Sequence, residues 1–216
     1  MFRLDGKLKM VNVNIDYLRS LHNVCDEVLY QEKDYDKKPY IGILITNGNR
    51  KYVIPLSSAK EKHKDWKDSY PDRFLIYKYE LKDNLPDNAI WVETEEKGKV
   101  KHILSVVDLK KMIPVKDNVM KTVDFTVSTD DSENDKKYKD LLDKEYAFCV
   151  RIADAIVRKA SRIYQKQMET GKVMKFGCDF SKLERAMDAY TIYEAGEMKR
   201  REGAEGLNEK VTATVT

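Results

Sequence analysis

The sequence predicts an α+β domain in which a highly twisted antiparallel β-sheet, half-open and barrel-like, is flanked by α-helices. Three observations lead to this prediction. A helical pattern precedes a run of strand patterns, a β-hairpin lies within that run, and helical periodicity returns in the last third of the chain. Helices that precede and follow a run of strands, instead of alternating with them, favour an antiparallel sheet.

The length and composition fit one domain followed by a short tail. With 216 residues, of which 42% are hydrophobic, the chain can bury a single core. We expect this domain to span residues 1–195 and the charged, small-residue stretch 196–216 to be a polar, flexible tail. Charged residues make up 36% of the chain, yet the net charge is only +3, so overall charge does not by itself indicate a polyanionic partner.

The cysteines and the apolar runs favour a cytoplasmic protein. Cys25, Cys149 and Cys178 form no CxxC pair and have no histidine at zinc-ligand spacing, so we expect three reduced, buried thiols and no metal site or cofactor. The first residues lack the apolar run of a signal peptide, and the longest apolar runs are far shorter than a membrane span.

The first predicted helix runs from Ile15 to Val28, with Asn14 as a good N-cap. Its apolar side chains fall on one helix face, as expected for packing against a core. These side chains are Leu18, Leu21, Cys25 and Val28. A polar, tyrosine-containing loop is expected over 30–38.

A β-hairpin follows and is the most informative segment of the chain. Residues 40–46 are rich in β-formers and apolar on both faces, which indicates a central strand. Asn47-Gly48 is typical of a type I′ turn, and residues 50–56 return as the second strand. Pro55 indicates that strand pairing stops near this point.

The remaining elements are predicted from shorter signals. The S-x-x-E pattern at Ser58 is that of a capping box, so a short helix is expected to continue to about Trp66. Strands are predicted over 74–79, 91–93 and 101–107. A turn and a short strand that ends at Pro114 are predicted over 109–115, and residues 119–127 alternate in part. A long helix over 135–169 should stop at Gly171, and a last helix should begin at Ser181 with Glu184 as its capping partner.

The junction after the hairpin is the candidate site. Ser57 and Ser58 supply hydroxyls, Lys60 supplies a charge, and the N-terminus of the predicted helix would favour an anion. His63 has an ordinary pKa near 6.5, which suits proton transfer. Other residues could extend the positive field or stack on unpaired bases. These are the lysines Lys62, Lys64 and Lys67, and the aromatic residues Trp66, Tyr17, Tyr35 and Tyr40.

Each of these features also has a simpler explanation. Ser58 can be an N-cap alone, the lysines a solvated face, His63 a surface residue, and the tyrosines core or rim packing. The chemistry of these residues does not distinguish phosphate cleavage from phosphate binding.

The hairpin and junction resemble the core motif of the ToxN/AbiQ family, the toxins of type III toxin–antitoxin systems. In that family a strand of the form K/R-x-F/Y-I/V-G-I/V precedes a strand ending in P-L-T/S-S-P-K and a later histidine, as in KPYIGILI and KYVIPLSSAKEKH here. Three further segments match the family in the same order. They are 107–115 (N-L/F-x-x-M-I-P-I/V), 138–142 (Y-K-x-L-L) and 178–184 (C-N/D-F-x-x-L-E). The resemblance covers residues 13–190.

This resemblance implies a metal-independent, sequence-specific endoribonuclease that cuts RNA such as mRNA and leaves a 2′,3′-cyclic phosphate. It implies inhibition by a small pseudoknotted RNA antitoxin with tandem repeats, a closed protein–RNA ring, and phage defence by abortive infection. The partners would be RNA, not DNA or a membrane. The site positions that it implies are Ser57, Ser58, Lys60, His63 and Lys38, with Tyr17 and, across a one-residue gap, Tyr35 facing them.

The implied reaction is attack by an RNA 2′-hydroxyl on its adjacent phosphate. Lys60, the helix N-terminal amides and Ser57 would stabilise the transition state, Ser58 would position the phosphate, and a lysine or His63 would assist proton movement. The departures from the family pattern are Ala59 in place of proline, a longer region over 79–101, and the additional tail. They bear on antitoxin contacts more than on the cutting site.

Two alternatives remain open from the sequence. The first is a non-catalytic module that binds a structured RNA through the same lysines and aromatic residues. The second is a protein–protein interaction domain that uses the long helix as a docking surface.

Overall fold

Nine antiparallel strands form one open sheet at the centre of the structure, a computed structural model that describes residues 1–31, 33, 40–67 and 69–190. The strands are β1 (Phe2–Arg3), β2 (Met10–Val13), β3 (Ile41–Asn47), β4 (Arg50–Ser58), β5 (Arg73–Leu81), β6 (Ile90–Glu93), β7 (Lys99–Asp108), β8 (Ile113–Val115) and β9 (Met120–Thr122). Their main order is β5-β7-β4-β3-β2-β9, while β1 pairs with β3, β6 with β7 and β8 with β4.

The described chain also contains four α-helices and four short 3₁₀ turns. The helices are α1 (Ile15–Val24), α2 (Glu133–Arg151), α3 (Ala153–Thr170) and α4 (Phe180–Ala189). The 3₁₀ turns are Glu61–His63, Lys82–Asn84, Leu109–Lys111 and Asp117–Val119. Helix α2 contacts β5 and β7, α3 contacts β1, and α4 contacts α1 and β8. The predicted α+β class with a twisted antiparallel sheet is confirmed.

The β3–β4 hairpin is present, but its turn lies one residue later than predicted. Asn47 pairs with Arg50 inside the ladder, so the loop residues are Gly48 and Asn49. Gly48 has φ +60°, and Asn49 is not in the positive-φ region, which is the pattern of a type II′ turn. The Asn47 side chain accepts a hydrogen bond from the Met1 amino group at 2.9 Å, which favours its place in the strand.

Gly42 of β3 is required by close approach of the neighbouring strand. A Cβ at this position would lie 2.3 Å from the carbonyl oxygen of Ile54. The glycine of the hairpin motif therefore has a structural reason, because no larger residue fits between β3 and β4 without moving backbone.

Strand β4 continues past Pro55 by changing its partner. It pairs with β3 as far as the Gly42–Pro55 register pair, and then Leu56, Ser57 and Ser58 pair with β7. The predicted stop at Pro55 holds for the pairing with β3, but β4 itself continues with a new partner. Proline has no N–H to donate, and it lies where the strand exchanges one ladder for another.

The predicted helix from Ser58 to Trp66 was wrong. Ser58 stays in β4 opposite Ser105, and only the 3₁₀ turn Glu61–His63 follows. The Lys60 N–H at the start of this turn donates a hydrogen bond to Nδ1 of the His63 ring at 3.0 Å. Ser58 is therefore not an N-cap.

Three of the helix boundaries differ from the predictions. Asn14 caps α1 as expected, but the backbone becomes extended at Cys25, so α1 ends four residues early. The predicted long helix is divided into α2 and α3 at Ile152, and Gly171 ends α3 at φ +65° as expected. Helix α4 is capped by Asp179, which accepts from the Lys182 N–H at 3.0 Å, and not by Ser181.

The core lies between the sheet and the four helices, with Phe148 and Cys149 as the α2 residues of the main buried cluster. All three cysteines are buried free thiols, as predicted. Among the described residues, no helix has the length and apolar character needed to cross a membrane. The predicted tail, 196–216, lies outside the described residues.

Candidate active site

The floor of a cavity of about 450 Å³ is one face of the sheet where β4, β7 and β5 run side by side. Ser57 pairs with Val106, and Arg73 pairs with Asp108. Side chains of paired residues share a face, and residues two apart on a strand return to it. The sheet register therefore brings Ser57, Arg73 and Asp108 to the same surface.

Two short segments form the walls of this cavity, which we call the basic pocket. The 3₁₀ turn after β4 contributes one wall, and the 3₁₀ turn after β7 contributes lysines to the other. The residues that line the basic pocket are Leu29, Ser57, Ser58, Lys60, Lys62, His63, Trp66, Arg73, Val106, Asp108, Lys110, Lys111 and Phe176. Six residues predicted from the sequence thus lie together, namely Ser57, Ser58, Lys60, Lys62, His63 and Trp66.

Two of the predicted tyrosines are core residues. Tyr17 is fully buried, and its hydroxyl donates to the Pro114 carbonyl at 2.7 Å. Tyr40 is also buried. Neither lines the basic pocket, so the prediction that they stack on RNA does not agree with this structure: a buried ring has no free face to offer a base.

The remaining predicted residues do not line the basic pocket. Lys64 forms an ion pair with Glu61 at 2.7 Å, and Lys67 is exposed outside the cavity. Lys38 and Tyr35 lie outside the described residues.

His63 is held as a neutral, positioned ring. It is 3% exposed and lies against Trp66, with ring centroids 4.3 Å apart. Burial, together with the charges of Lys62, Lys60 and Arg73, lowers the pKa of His63 to about 4. The expectation that His63 titrates near neutrality was therefore wrong. Because Nδ1 accepts from the Lys60 N–H, we assign the ring proton to Nε2.

The predicted anion seat at a helix N-terminus is also wrong. The turn has only three residues, and the Lys60 amide already donates to His63. Positive charge in the basic pocket comes from side chains instead, and the described residues that supply it are Lys60, Lys62, Arg73, Lys110 and Lys111.

Three of these cations are held by carboxylates, two of them by the buried Asp72 and one by the half-buried Glu27. Arg73 binds Asp72 through two hydrogen bonds of 2.7 and 2.8 Å, and Lys110 binds the same carboxylate at 3.0 Å. Burial alone would raise the pKa of Asp72, but the hydrogen bonds from Arg73 and Lys110 hold it below its ordinary value. Lys111 contacts the Glu27 carboxylate. These three cations are therefore held in place at the pocket surface.

Lys60 and Lys62 are the cations left available for a ligand. Within the described part of the chain neither forms an ion pair, and both are exposed. Lys62 Nζ lies 5.6 Å from the centroid of the Trp66 ring. A bound anion would therefore meet these two ammonium groups first.

Asp108 is a pocket residue that the sequence analysis missed. Its Oδ1 atom is buried and has no hydrogen-bond partner among the residues that the structure describes. Burial raises the pKa of Asp108 to about 6, although the charge of Lys110 opposes this shift. The sequence does contain a signal for this residue, because Asp108 stands in segment 107–115 at the position where the family motif has asparagine.

A larger cavity of about 690 Å³ lies elsewhere, between α2 and the β5–β7 part of the sheet. Tyr77, Tyr79, Lys144 and Arg151 are among its lining residues, and it contains none of the predicted site residues. Cavity volume alone does not identify a functional site. We therefore centre the candidate site on the basic pocket, which is lined by both serines and by cations without an ion-pair partner among the described residues.

Comparison with known proteins agrees with the sequence resemblance. The family model of toxin ToxN, of the type III toxin–antitoxin systems, matches residues 9–188. The endoribonuclease ToxN of Bacillus thuringiensis subsp. kurstaki is 25% identical over 203 residues, which are 91% of this chain and 90% of that protein.

Solved structures show the same fold. One, from a study of selective toxin inhibition by a non-coding RNA pseudoknot, has a TM-score of 0.62 and 20% identity, and covers 86% of this chain and 98% of that chain. The structure of AbiQ, a lactococcal anti-phage endoribonuclease of a type III system, has a TM-score of 0.57 and 20% identity with the same coverage.

Proposed function

The chain belongs to the ToxN toxin family of type III toxin–antitoxin systems, and from this premise we propose that it is an endoribonuclease whose catalytic centre is the basic pocket. The observation that carries the proposal is that Ser57, Ser58 and Lys60, at the end of β4 and just after it, all line one cavity together with further cations. A phosphodiester is the ligand that such a set of hydroxyls and cations suits best.

In the reaction that we propose, the nucleophile belongs to the substrate. The ribose 2′-hydroxyl loses its proton as its oxygen attacks the adjacent phosphorus, and the bond from phosphorus to the 5′-oxygen breaks. The 5′-oxygen takes up a proton, so the products carry a 2′,3′-cyclic phosphate and a 5′-hydroxyl. The transition state gathers negative charge on the phosphoryl oxygens. Interactions that strengthen in this state accelerate the reaction.

The pocket residues divide this work according to their chemistry. Lys60 is exposed and unpaired in the described structure, so it can neutralise phosphoryl charge directly. Ser57 and Ser58 donate hydroxyl hydrogen bonds that position the phosphate. His63, uncharged at neutral pH, fixes the turn through the Lys60 amide and thereby directs the lysine.

The proposed partners are RNA molecules. Support comes from the relatives: one solved neighbour concerns inhibition by a non-coding RNA pseudoknot, and another is an anti-phage endoribonuclease. We propose that a small RNA antitoxin with tandem repeats holds this chain inactive in a closed protein–RNA ring, and that its release serves phage defence.

Cleavage of a mixed-sequence single-stranded RNA by purified protein tests the function. We expect Ser58→Ala and Lys60→Ala to slow cutting by about two to four powers of ten, since each removes one positioning or charge-stabilising group. Lys97→Ala, an exposed lysine in the β6–β7 turn, is the matched control and should cut at the wild-type rate. Mass spectrometry should find the cyclic phosphate, and EDTA should leave the rate unchanged because no step uses a metal.

If Ser58→Ala and Lys60→Ala both fold and cut RNA at the wild-type rate, the basic pocket is not the catalytic centre. Cutting that stops in EDTA and returns with a divalent ion would indicate metal-dependent hydrolysis. Salt-sensitive RNA binding with no cutting at all would favour the non-catalytic binding module instead.

A further inference from the structure

Phe176 occupies a backbone position that normally belongs to glycine. It follows Lys175 in a tight turn that is closed by the Gly177 N–H donating to the Met174 carbonyl at 2.8 Å. The φ of Phe176 is +57°, and among the described residues it is the only non-glycine residue with positive φ. A bulky side chain at this place in a turn is strained, because Cβ crowds the following carbonyl.

The turn is fastened so that the strain cannot relax by a simple backbone shift. The Cys178 N–H donates to the Lys110 carbonyl at 2.8 Å, and Cys178 itself is fully buried. A Cβ on Gly177 would lie 3.0 Å from the Met174 carbonyl and 3.4 Å from the Lys110 Cβ, so this residue is confined as well. Phe176 is therefore fixed beside Lys110 at the rim of the basic pocket.

The strained residue displays its ring to solvent instead of burying it. Phe176 is 61% exposed and lines the basic pocket, and its one cation contact in the described chain is Lys175 Nζ, 5.0 Å from the ring centroid. The other pocket ring that could stack, Trp66, is already covered, because the Arg73 guanidinium lies 3.7 Å from its centroid and the His63 ring 4.3 Å away. Among the described pocket residues, Phe176 is thus the most exposed aromatic side chain.

Strain at an exposed position needs a reason outside folding. Burial does not supply one, because most of the ring remains in water, and glycine would relieve the backbone. The neighbouring cations and hydroxyls suit a phosphodiester, and the planar apolar group attached next to a phosphodiester is a nucleobase. Bases of single-stranded RNA stack on aromatic side chains because every base has a π-face.

We propose that Phe176 is a stacking platform for one nucleobase of single-stranded RNA, next to the phosphate that Lys60 and Ser58 hold. This inference rests on the proposed function and adds a base-binding subsite to it. The subsite contributes to binding a strand and not to bond breaking, so its loss should raise KM and leave kcat nearly unchanged.

The experiment compares three substitutions of Phe176 on an uncleavable single-stranded RNA with 2′-O-methyl riboses. Phe176→Leu keeps the apolar bulk and the strain but has no π-face, Phe176→Gly removes both ring and strain, and Phe176→Trp keeps a ring. We expect Leu and Gly to weaken binding about five- to hundredfold and Trp to retain it. Tyr79→Ala, an aromatic residue of similar exposure outside the basic pocket, should bind like wild type.

A second substrate set isolates the base contact. In it, single abasic nucleotides replace each base in turn. For wild type one position should lose about five- to hundredfold affinity, and in Phe176→Leu that loss should disappear, since ring and base form one interaction. Thermal unfolding of Phe176→Gly should occur at or above the wild-type midpoint, which separates lost binding from lost folding.

The possible outcomes separate the stacking role of Phe176 from the proposed endoribonuclease activity. If wild-type protein cuts RNA, and Phe176→Leu binds RNA as tightly as wild type with the same losses at abasic positions, the stacking role is overturned and the nuclease proposal is not. If wild-type protein loses affinity at one abasic position in a Phe176-dependent way but never cuts RNA, the nuclease proposal is overturned and the base-binding subsite is supported. Absence of single-strand binding by wild type overturns both.

Discussion

At the scale of single residues, the basic pocket contains groups that folding alone does not favour. Asp108 has a buried carboxylate oxygen without a partner among the described residues, and Phe176 has a strained backbone with an exposed ring. Both features cost stability at the place where the predicted functional residues meet. Residues that conflict with folding rules tend to collect at functional sites.

Asp108→Asn should stabilise the protein at pH 7. The folded-state pKa of Asp108, about 6, lies above the value of 3.8 that we take for the unfolded chain. Above pH 6 the folded state must therefore hold a buried charge that the unfolded chain keeps in water. The gain can reach about 3 kcal/mol. It should be largest above pH 6, decline as the pH falls from 6 towards 3.8, and disappear only below that value, where both states are protonated.

Urea unfolding of wild type and Asp108→Asn between pH 4 and 8 measures this difference. Exposed Asp87→Asn is the control, and its effect should stay within about 0.5 kcal/mol at every pH. An asparagine variant that is less stable than wild type at pH 8 would show that the carboxylate makes favourable contacts, contrary to this prediction.

At the scale of secondary-structure elements, the β3–β4 hairpin sets the position of the site, and Gly42 sets the spacing of the hairpin. Gly42→Ala should lower the free energy of unfolding by about 3 kcal/mol, because its Cβ would meet the Ile54 carbonyl at 2.3 Å and backbone cannot rotate away. Gly6→Ala is a useful contrast, because Gly6 has φ +78° but no atom within 4 Å of an added Cβ. It should cost only about 1 kcal/mol.

Denaturant unfolding of the two variants compares steric clash with backbone strain. Equal losses for Gly42→Ala and Gly6→Ala would mean that the strands separate easily, and that Gly42 does not determine how β4 lies against β3.

The elements that the sequence predicts well are those with strong local signals. The Asn14 cap, the β-forming residues of β3 and β4, and Gly171 at the end of α3 are all predicted from a few neighbouring residues. The partner exchange of β4 after Pro55 depends on β7, about fifty residues away, so no local pattern records it. The break at Ile152 has neither glycine nor proline to indicate it.

The same reasoning explains how much of the site was predictable. Ser57, Ser58, Lys60 and His63 are close in sequence, so a short motif identifies them together. Arg73, Asp108, Lys110 and Phe176 come from β5, the end of β7, the turn after it and the turn before α4, and only the folded sheet brings them to the pocket. The Lys60–His63 hydrogen bond competes with helix formation, and it replaced the predicted capping box.

At the scale of the whole molecule, the last helix is fastened back onto the hairpin. Tyr52 and Tyr164 both donate to Glu184 Oε1, and Arg50 binds Asp188 through two hydrogen bonds of 2.7 Å. Phe180 and Leu183 are fully buried. The family-like segment that contains Phe180 and Glu184 is therefore structural, and it closes the chain over the core while the basic pocket stays open.

Charge is also organised at this scale, because a net charge of +3 conceals a local concentration of cations. Five cations and one carboxylate line the basic pocket, and Lys60 and Lys62 have no ion-pair partner within the described residues. RNA binding should therefore release few counterions despite the many charges on the chain. With about 0.7 per phosphate for single strands, two to four contacts give a slope of log K against log salt between about −1.5 and −3.

Lys62→Ala should reduce the magnitude of that slope by about 0.7, since one phosphate contact is lost, whereas Lys97→Ala should leave it unchanged. Fluorescence anisotropy of an uncleavable RNA at several salt concentrations gives both slopes. A wild-type slope far steeper than −3, or an equal reduction by Lys97→Ala, would mean that RNA spreads over the general surface. A shallow slope that decreases in Lys62→Ala and not in Lys97→Ala would place the phosphate contacts in the basic pocket. The slope counts the phosphates that the protein contacts, whereas the net charge sums over the whole surface.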